Sequence, residues 1–211
     1  MKAVIISGGK APSYALLKSE IEHSDIIICA DSGADCLYFN KIIPNYLIGD
    51  FDSINIKVFE YFKNSSCKII KYPSKKDFTD TFLAVEKAIQ LKATDIILLG
   101  CTGSRIDHFM GNINILYYCL NKNIEAVLKD DNNNIFLKKH SFILRNKGYK
   151  YFSLLAYNGT VSGLTLNDVK YQLDNYNLTI GDSLTISNEF ISESANIKFN
   201  SGVLAVILSK D

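Results

Sequence analysis

Two aspartates that lie two positions apart are the first residues in this chain that could do chemistry. Asp50 and Asp52 belong to the run G-D-F-D-S at positions 49–53, which follows the apolar stretch 46–48. In an extended backbone such residues point to the same side, so their carboxylates would project together. They would repel each other unless a cation or a proton lay between them, and a hard divalent cation such as Mg²⁺ suits oxygen ligands. The alternative is that both are turn residues beside a glycine.

Further acidic residues and an arginine follow other predicted strands. Asp31 follows the apolar segment 26–30, the run D-F-T-D at 77–80 comes after the segment 68–72, and a polar loop at 100–108 follows the segment 96–99. Ligands of open α/β sheets bind beyond the carboxyl ends of the strands. These loops are therefore expected to bring five or six carboxylates and one arginine to a single edge of a sheet.

Each of these residues also has a purely structural explanation. Asp80 could be a first-turn acid favoured by the helix dipole, Asp107 a helix N-cap, and Asp31 a turn former. Arg105 could be a surface salt-bridge partner, and His108 a packing or hydrogen-bonding residue. These alternatives do not explain why the acids collect at one edge of the sheet.

Well-known nucleotide-binding motifs are absent from the sequence. There is no G-x-x-x-x-G-K-[ST] loop, to which Gly8-Gly9-Lys10 has only a superficial likeness, and no G-x-G-x-x-G fingerprint. No H-E-x-x-H motif or Cys/His cluster indicates zinc. A bound nucleotide would then be held by Mg²⁺-bridged carboxylates, by the Arg105 guanidinium, and by backbone amides of the loop formed by Thr102, Gly103 and Ser104.

The elements that would position these groups are those of an α/β domain. Short apolar runs recur at 3–6, 26–30, 46–48, 68–71, 96–99 and 126–128, as expected for strands buried on both faces of a mainly parallel sheet. Helices are predicted over 79–91, with an apolar stripe of Phe78, Phe82, Val85 and Ile89, and over 109–120. The alternation predicts a doubly wound domain over residues 1–130.

The second part of the chain has a different pattern. A polar stretch at 130–134 predicts a loop and a domain junction. Short β-type segments punctuated by glycines follow it, without a helical stripe. Residues 131–211 are therefore predicted to form a small all-β sandwich.

Composition excludes some classes of function. The net charge is +1 without a basic block, which gives no support for nucleic-acid binding. No apolar run approaches the roughly 18 residues of a membrane span. The five cysteines, Cys29, Cys36, Cys67, Cys101 and Cys119, form no C-x-x-C pair. Four of them lie in or beside apolar segments, so buried free thiols in a cytoplasmic protein are expected.

The motifs together resemble those of the thiamine pyrophosphokinase family. The runs A-D-S-G-A at 30–34, G-D-F-D-S at 49–53, D-F-T-D at 77–80 and G-S-R-I-D-H at 103–108 match in order and spacing. The runs K-Y-Q-L at 170–173 and I-S-N-E-F at 186–190 are similar to the thiamine-binding β-domain of that family. The resemblance covers essentially the whole chain.

The resemblance implies an activity and an assembly. The reaction would be transfer of a pyrophosphoryl group from ATP to the hydroxyl of thiamine, giving thiamine diphosphate and AMP. The protein would be a homodimer with composite sites, each formed by the catalytic domain of one chain and the β-domain of the other. Either Asp77 or Asp80 could orient the hydroxyl or take its proton.

The resemblance also implies roles for individual residues. Magnesium ligands would be Asp50, Asp52 and Asp80; the phosphate site would be supported by Asp31 and Asp77; ATP would be placed by Arg105 and Asp107; thiamine would contact Ser187 and Asn188. The chain departs from the family at Ser32 and Ser104, where many members have glycine. It also has no Trp, so any stacking on thiamine must come from Tyr or Phe.

Two other classes of function remain open. One is a different metal-dependent nucleotide enzyme, such as a nucleotidyl- or glycosyltransferase, which would release pyrophosphate or a nucleoside diphosphate instead of AMP. The other is a non-catalytic nucleotide or thiamine sensor, for which loss of a motif acid would be typical. No motif acid is lost in this sequence.

Overall fold

A computed structural model describes residues 1–75 and 77–210. The chain divides into two compact units, Met1–Asp131 and Asn132–Asp211. Along the described residues, no helix combines the length and the apolar character needed to cross a membrane.

The first unit alternates strands and helices. They are β1 (Lys2–Ile6), α1 (Tyr14–Ile21), β2 (Ile26–Ala30), α2 (Gly33–Phe39), β3 (Tyr46–Gly49), α3 (Ile56–Lys63), β4 (Lys68–Lys71), α4 (Asp80–Gln90), β5 (Asp95–Leu99), α5 (Ile106–Asn121) and β6 (Glu125–Lys129). The strands pair in the order β4-β3-β2-β1-β5-β6, and every pair is parallel. The order reverses between β1 and β5, which is where open α/β sheets bind ligands.

The core of this unit confirms the interpretation of the apolar runs in the central strands, but the prediction is wrong for the edge strand β4, which contains no buried residue. All four residues of the segment 3–6 in β1 are fully buried, as are Ile28 in β2 and Leu98 in β5. The helices add Leu17 and Phe62, which are also fully buried. A strand with no exposed face must be apolar throughout, so these strands show no alternation in sequence.

Helix α4 begins close to its predicted start, but its predicted apolar stripe is wrong in part. Thr79 is the N-cap, and its side chain accepts a hydrogen bond from the Phe82 N–H at 3.3 Å. The fully buried face consists of small residues, Ala84, Val85 and Ala88, which let the helix pack closely on the sheet. Phe78 precedes the helix, is 54% exposed, and stacks on Phe82.

The second unit is built from antiparallel strands. They are β7 (Asn133–Lys138), β8 (Phe142–Arg145), β9 (Tyr151–Asn167), β10 (Leu173–Leu178), β11 (Asn188–Glu189), β12 (Ser194–Lys198) and β13 (Ser201–Ser209). The long strand β9 pairs with β13 and β11 through its first half and with β10 and β12 through its second half. Its side chains help to fill one apolar core, which includes Phe152, Leu164, Ile197 and Val206.

The polar stretch at 130–134 is only in part a loop. Strand β7 already begins at Asn133, and Asn134 is 8% exposed. Asn133 and Asn134 pair with Ser209 and Leu208 of β13. Strand pairing with an apolar partner thus overrides the turn propensity of these asparagines.

Candidate active site

A pocket of about 510 Å³ lies at the carboxyl ends of the strands in the first unit. Its lining comes from the residues that follow five strands and from helix α5. These are Ser7, Gly8 and Gly9 after β1, Asp31 after β2, Asp50 after β3, Ser74 and the segment 78–81 after β4, the loop 100–105 after β5, and His108 and Asn112 on α5. The pocket therefore lies at the reversal of strand order between β1 and β5.

Three carboxylates come together at this pocket. One oxygen from each of Asp31, Asp50 and Asp52 lies within 4.8 Å of the others. Their backbone is not the extended strand assumed from the spacing, because β3 ends at Gly49 and Phe51 has a φ of 68°. Asp50 Oδ1 accepts a hydrogen bond from the Asp52 N–H at 3.2 Å, so a tight turn brings the acids together.

Packing of an aromatic ring stabilises this turn. A bulky residue at positive φ is an outlier that must be held by its surroundings. The Phe51 ring packs against Phe59 of α3, with ring centroids 5.0 Å apart. The hydrophobic core therefore fixes the direction of the two carboxylates on either side of Phe51.

Asp31 has a buried oxygen that fits a cation. Its backbone has a φ of 45°, its N–H donates to the Ile48 carbonyl at 2.8 Å, and its Oδ2 accepts a hydrogen bond from Ser53 Oγ. Its Oδ1 is buried and has no hydrogen-bond partner among the described residues. An unsatisfied buried acceptor is costly, and a divalent cation shared with Asp50 and Asp52 would satisfy it.

The other two motif aspartates occupy different places. Asp80 is the first residue of α4 and lines the pocket, but it does not belong to the three-carboxylate group. Asp77 is exposed, lies in the turn before α4, and is not part of the pocket lining. The acidic group in the structure thus contains Asp31 where the predicted ligand set has Asp80.

Arg105 lies at the pocket and forms a two-point ion pair with Asp107. Arg105 Nη2 donates to Asp107 Oδ2 at 2.5 Å and Arg105 Nε to Asp107 Oδ1 at 3.2 Å. This hydrogen bonding lowers the pKa of Asp107 to about 2 and raises the pKa of Arg105. The N-cap of α5 is Arg105, so the alternative that Asp107 caps the helix is wrong.

Sequence reasoning missed the glycine turn after β1. The Gly9 N–H donates to the Gly100 carbonyl at 2.7 Å, and the Lys10 N–H donates to the Thr102 carbonyl at 2.6 Å. A Cβ on Gly9 would lie 2.1 Å from the Thr102 oxygen, so only glycine permits this contact between the two loops. The signal was a pair of glycines directly after the first strand of a doubly wound sheet.

The second unit presents the two residues that the resemblance assigns to thiamine. Ser187 is exposed and has a φ of 59°. Asn188 is 2% exposed; its Oδ1 accepts from the Tyr171 N–H at 3.0 Å, and its Nδ2 donates to the Tyr171 carbonyl at 2.8 Å. The amide of Asn188 thus clamps the backbone of Tyr171, whose side chain is exposed.

The cysteines are free thiols, and Cys101 is the one that lines the pocket. Burial raises the pKa of the Cys101 thiol to about 12. The protonated thiol is a poor nucleophile and a poor metal ligand. The Cys101 thiol is therefore not expected to act as a nucleophile or as a metal ligand in this pocket.

Comparisons with known proteins match both units. A family model described as "Thiamin pyrophosphokinase, catalytic domain" matches residues 17–128, and one described as "Thiamin pyrophosphokinase, vitamin B1 binding domain" matches residues 139–204. The thiamine pyrophosphokinase of Bacillus subtilis is 33% identical over 100% of both chains. Thiamine pyrophosphokinase 1 of Oryza sativa is 28% identical over 97% of this chain and 86% of that protein.

Solved structures show the same likeness. The crystal structure of thiamine pyrophosphokinase from Bacillus subtilis is 31% identical to this chain, with a TM-score of 0.92 and full coverage of both chains. The structure of a thiamin pyrophosphokinase family protein from Enterococcus faecalis is 28% identical, with a TM-score of 0.88 and full coverage of both. The α/β fold followed by a β-rich domain is thus confirmed by these structures.

Proposed function

We propose that this chain, which belongs to the thiamin pyrophosphokinase family, transfers a pyrophosphoryl group from ATP to the hydroxyl of thiamine, giving thiamine diphosphate and AMP. One observation carries the proposal for the chemistry. The carboxylates of Asp31, Asp50 and Asp52 converge beyond the carboxyl ends of β2 and β3, beside a pocket that also contains Arg105. Such a site suits a substrate that carries several negative charges and binds with a divalent cation.

Mg²⁺ is the proposed cation. Asp31, Asp50 and Asp52 would hold it, and Asp80 is retained as a proposed further ligand because it lines the same pocket. The bound ion would supply charge neutralisation to the triphosphate. The orphaned Oδ1 of Asp31 supports this assignment, because burial of that oxygen without a partner is costly.

ATP would be bound by the residues around the ion site. The backbone amides of Thr102, Gly103 and Ser104 would bind the phosphates, and Arg105 would offer them its guanidinium while the ion pair with Asp107 fixes its orientation. The thiamine hydroxyl would attack the β-phosphorus, and AMP would leave with the electrons of the broken bond. Asp80 is the favoured proton acceptor, because it lines the pocket and Asp77 does not.

Thiamine is proposed to bind the second unit through the exposed Ser187 and the Tyr171 ring that Asn188 holds in place. The homodimer with composite sites is proposed as well. A cytoplasmic location is supported by the free thiols of all five cysteines. Neither nucleic acid nor a membrane is a proposed partner.

The test is a product assay. The protein is incubated with ATP, Mg²⁺ and thiamine, and the products are separated by chromatography. AMP and thiamine diphosphate in equal amounts are expected. ADP with thiamine monophosphate would indicate simple phosphoryl transfer, pyrophosphate release would indicate a nucleotidyltransferase, and ligand binding without turnover would indicate a sensor. Each of these three results would overturn the proposal.

A further inference from the structure

Helix α5 carries a polar side chain on its buried face. Asn112 is 8% exposed and lies among the buried residues Ile113, Ile115 and Leu116 of that helix. Burying an amide costs free energy unless it is hydrogen-bonded. Its Nδ2 donates to the Cys101 carbonyl at 2.9 Å, and Asn112 also lines the pocket.

This hydrogen bond belongs to a set of three. The carbonyls of Gly100, Cys101 and Thr102 are consecutive, and each accepts a hydrogen bond from another part of the first unit. Gly100 accepts from the Gly9 N–H at 2.7 Å and Thr102 from the Lys10 N–H at 2.6 Å. Cys101 accepts from Asn112, which supplies the one side-chain donor of the three.

The set determines which backbone groups of the loop can face a ligand. A carbonyl directed into the pocket would repel a phosphate, whereas a backbone N–H would attract it. With three successive carbonyls bonded to the turn after β1 and to α5, the loop 100–104 cannot turn its acceptors toward the pocket without breaking these bonds. The Thr102 hydroxyl is also buried and has no partner among the described residues, so a ligand oxygen could satisfy it.

We propose that Asn112 is a positioning residue for ATP: by holding the Cys101 carbonyl, it fixes the loop 100–104 in the orientation that binds the triphosphate. The proposal rests on the proposed function, since ATP is the ligand. It assigns a role to a residue outside the acidic and arginine motifs. Among the three donors, it is the one that a side-chain substitution can remove without changing the backbone.

The experiment compares two substitutions that remove the donor in different ways. Asn112→Leu replaces the amide by an apolar group of similar shape, and Asn112→Asp replaces it by a charged group that can only accept hydrogen bonds. Both variants lack the side-chain N–H donor. Asn121→Leu and Asn121→Asp are matched controls, because Asn121 lies on the same helix and is exposed. Calorimetry then measures binding of Mg²⁺-ATP, Mg²⁺-tripolyphosphate and thiamine separately, and thermal unfolding of each protein is recorded.

Both Asn112 variants are expected to weaken the binding of Mg²⁺-ATP and of Mg²⁺-tripolyphosphate by about tenfold, with thiamine binding unchanged. The Asn121 variants should bind all three ligands like wild type. In turnover, KM for ATP should rise while kcat at saturating ATP changes less than about twofold.

Several outcomes would overturn the proposal. Weaker ATP binding in Asn112→Asp but not in Asn112→Leu would show an effect of the added charge. An equal loss of thiamine binding, or a lower melting temperature with unchanged ATP binding, would show a structural role. Weaker binding of Mg²⁺-ATP with unchanged binding of Mg²⁺-tripolyphosphate would show that the loop 100–104 contacts the nucleoside and not the triphosphate. The proposed function fails on a different result, namely absence of thiamine diphosphate from the wild-type assay.

Discussion

At the scale of single residues, the carboxylates of Asp31, Asp50 and Asp52 lie close enough to repel one another. Two unit charges about 4 Å apart repel by roughly 1 kcal/mol in water and by about 4 kcal/mol at an effective dielectric constant of 20. Asp31, Asp50 and Asp52 are half-buried or exposed, so their repulsion lies toward the lower figure. The fold keeps them together through the Phe51 turn and the Ser53 hydroxyl, which is typical of a site organised for a ligand.

Asp52→Asn should therefore remove nearly all activity without unfolding the protein. The substitution relieves repulsion but removes an exposed carboxylate from the proposed Mg²⁺ site. Mg²⁺ should raise the melting temperature of wild type and have little effect on the variant. Asp174→Asn, at an exposed position of the second unit, is the control and should behave like wild type. Near-normal turnover of Asp52→Asn at saturating Mg²⁺ would contradict the assignment.

The Arg105–Asp107 pair leads to a prediction about pH. Because the folded pKa of Asp107 is lowered to about 2, the pair is fully formed above the ordinary carboxyl pKa and is lost only as the pH falls through about 2. KM for ATP should then show no step from this pair between pH 5 and 9. That range lies above the folded pKa of about 2 by more than the roughly one-unit spread of carboxyl pKa values in proteins. Asp107→Asn should raise KM for ATP equally across that range. A pH-dependent difference between wild type and variant would contradict this account.

Ser187 provides the cleaner test of thiamine binding. Its side chain is exposed, whereas Asn188 is committed to the backbone of Tyr171. Ser187→Ala should weaken thiamine binding by about 0.5–1.5 kcal/mol through loss of one hydrogen bond. ATP binding and the free energy of unfolding should not change. Asn188→Ala should in addition destabilise the second unit by about 1–3 kcal/mol. Separate titrations of thiamine and ATP decide the matter, and unchanged thiamine affinity in Ser187→Ala would remove that residue from the site.

At the scale of elements, the sequence predicted the parts that depend on local patterns. Continuous apolar runs such as 3–6 indicated buried parallel strands, and the acids after them indicated the ligand-binding edge. The left-handed turns at Asp31 and Phe51 were not predictable, because tertiary packing stabilises them against local preference. The Gly8-Gly9 turn was overlooked because its contacts are with a loop about 90 residues away in sequence.

Gly9→Ala should separate the two loops at the switch point. The new Cβ would lie 2.1 Å from the Thr102 oxygen and 2.6 Å from the Gly100 oxygen, so the backbone must move. We expect a loss of about 1–3 kcal/mol in the free energy of unfolding and weaker Mg²⁺-ATP binding. Gly111→Ala is the matched control: Gly111 lies in α5, and beyond its chain neighbours and the backbone of its own helix no described heavy atom lies within 4 Å of the added Cβ. The substitution should stabilise the protein by about 0.5–1 kcal/mol. Unfolding curves and ATP titrations of both variants provide the comparison.

At the scale of the whole molecule, the second unit leaves apolar side chains uncovered. Large apolar residues in and near the segment 180–191 have exposed fractions of 47–70%: Ile180, Leu184, Ile186 and Ile191. Scattered exposed apolar residues are ordinary, and a second chain packed on this segment would remove these four side chains from water. The segment 180–191 is therefore where we place the contact of the proposed homodimer.

The dimer is tested by introducing a charged residue into the segment 180–191, which should weaken the contact between the two chains. Light scattering of wild type should give twice the chain mass of 23.6 kDa, with an interface on the order of 2,000 Å² or more. Leu184→Asp should raise the dissociation constant on the order of 100-fold, because a carboxylate would be buried among apolar groups. Ile143→Asp is the control, since Ile143 is 66% exposed on β8 of the same unit. If each active site needs two chains, activity of Leu184→Asp should fall with dilution while its unfolding stays like that of wild type. Wild type that is monomeric and active at assay concentration would refute both the dimer and the composite site.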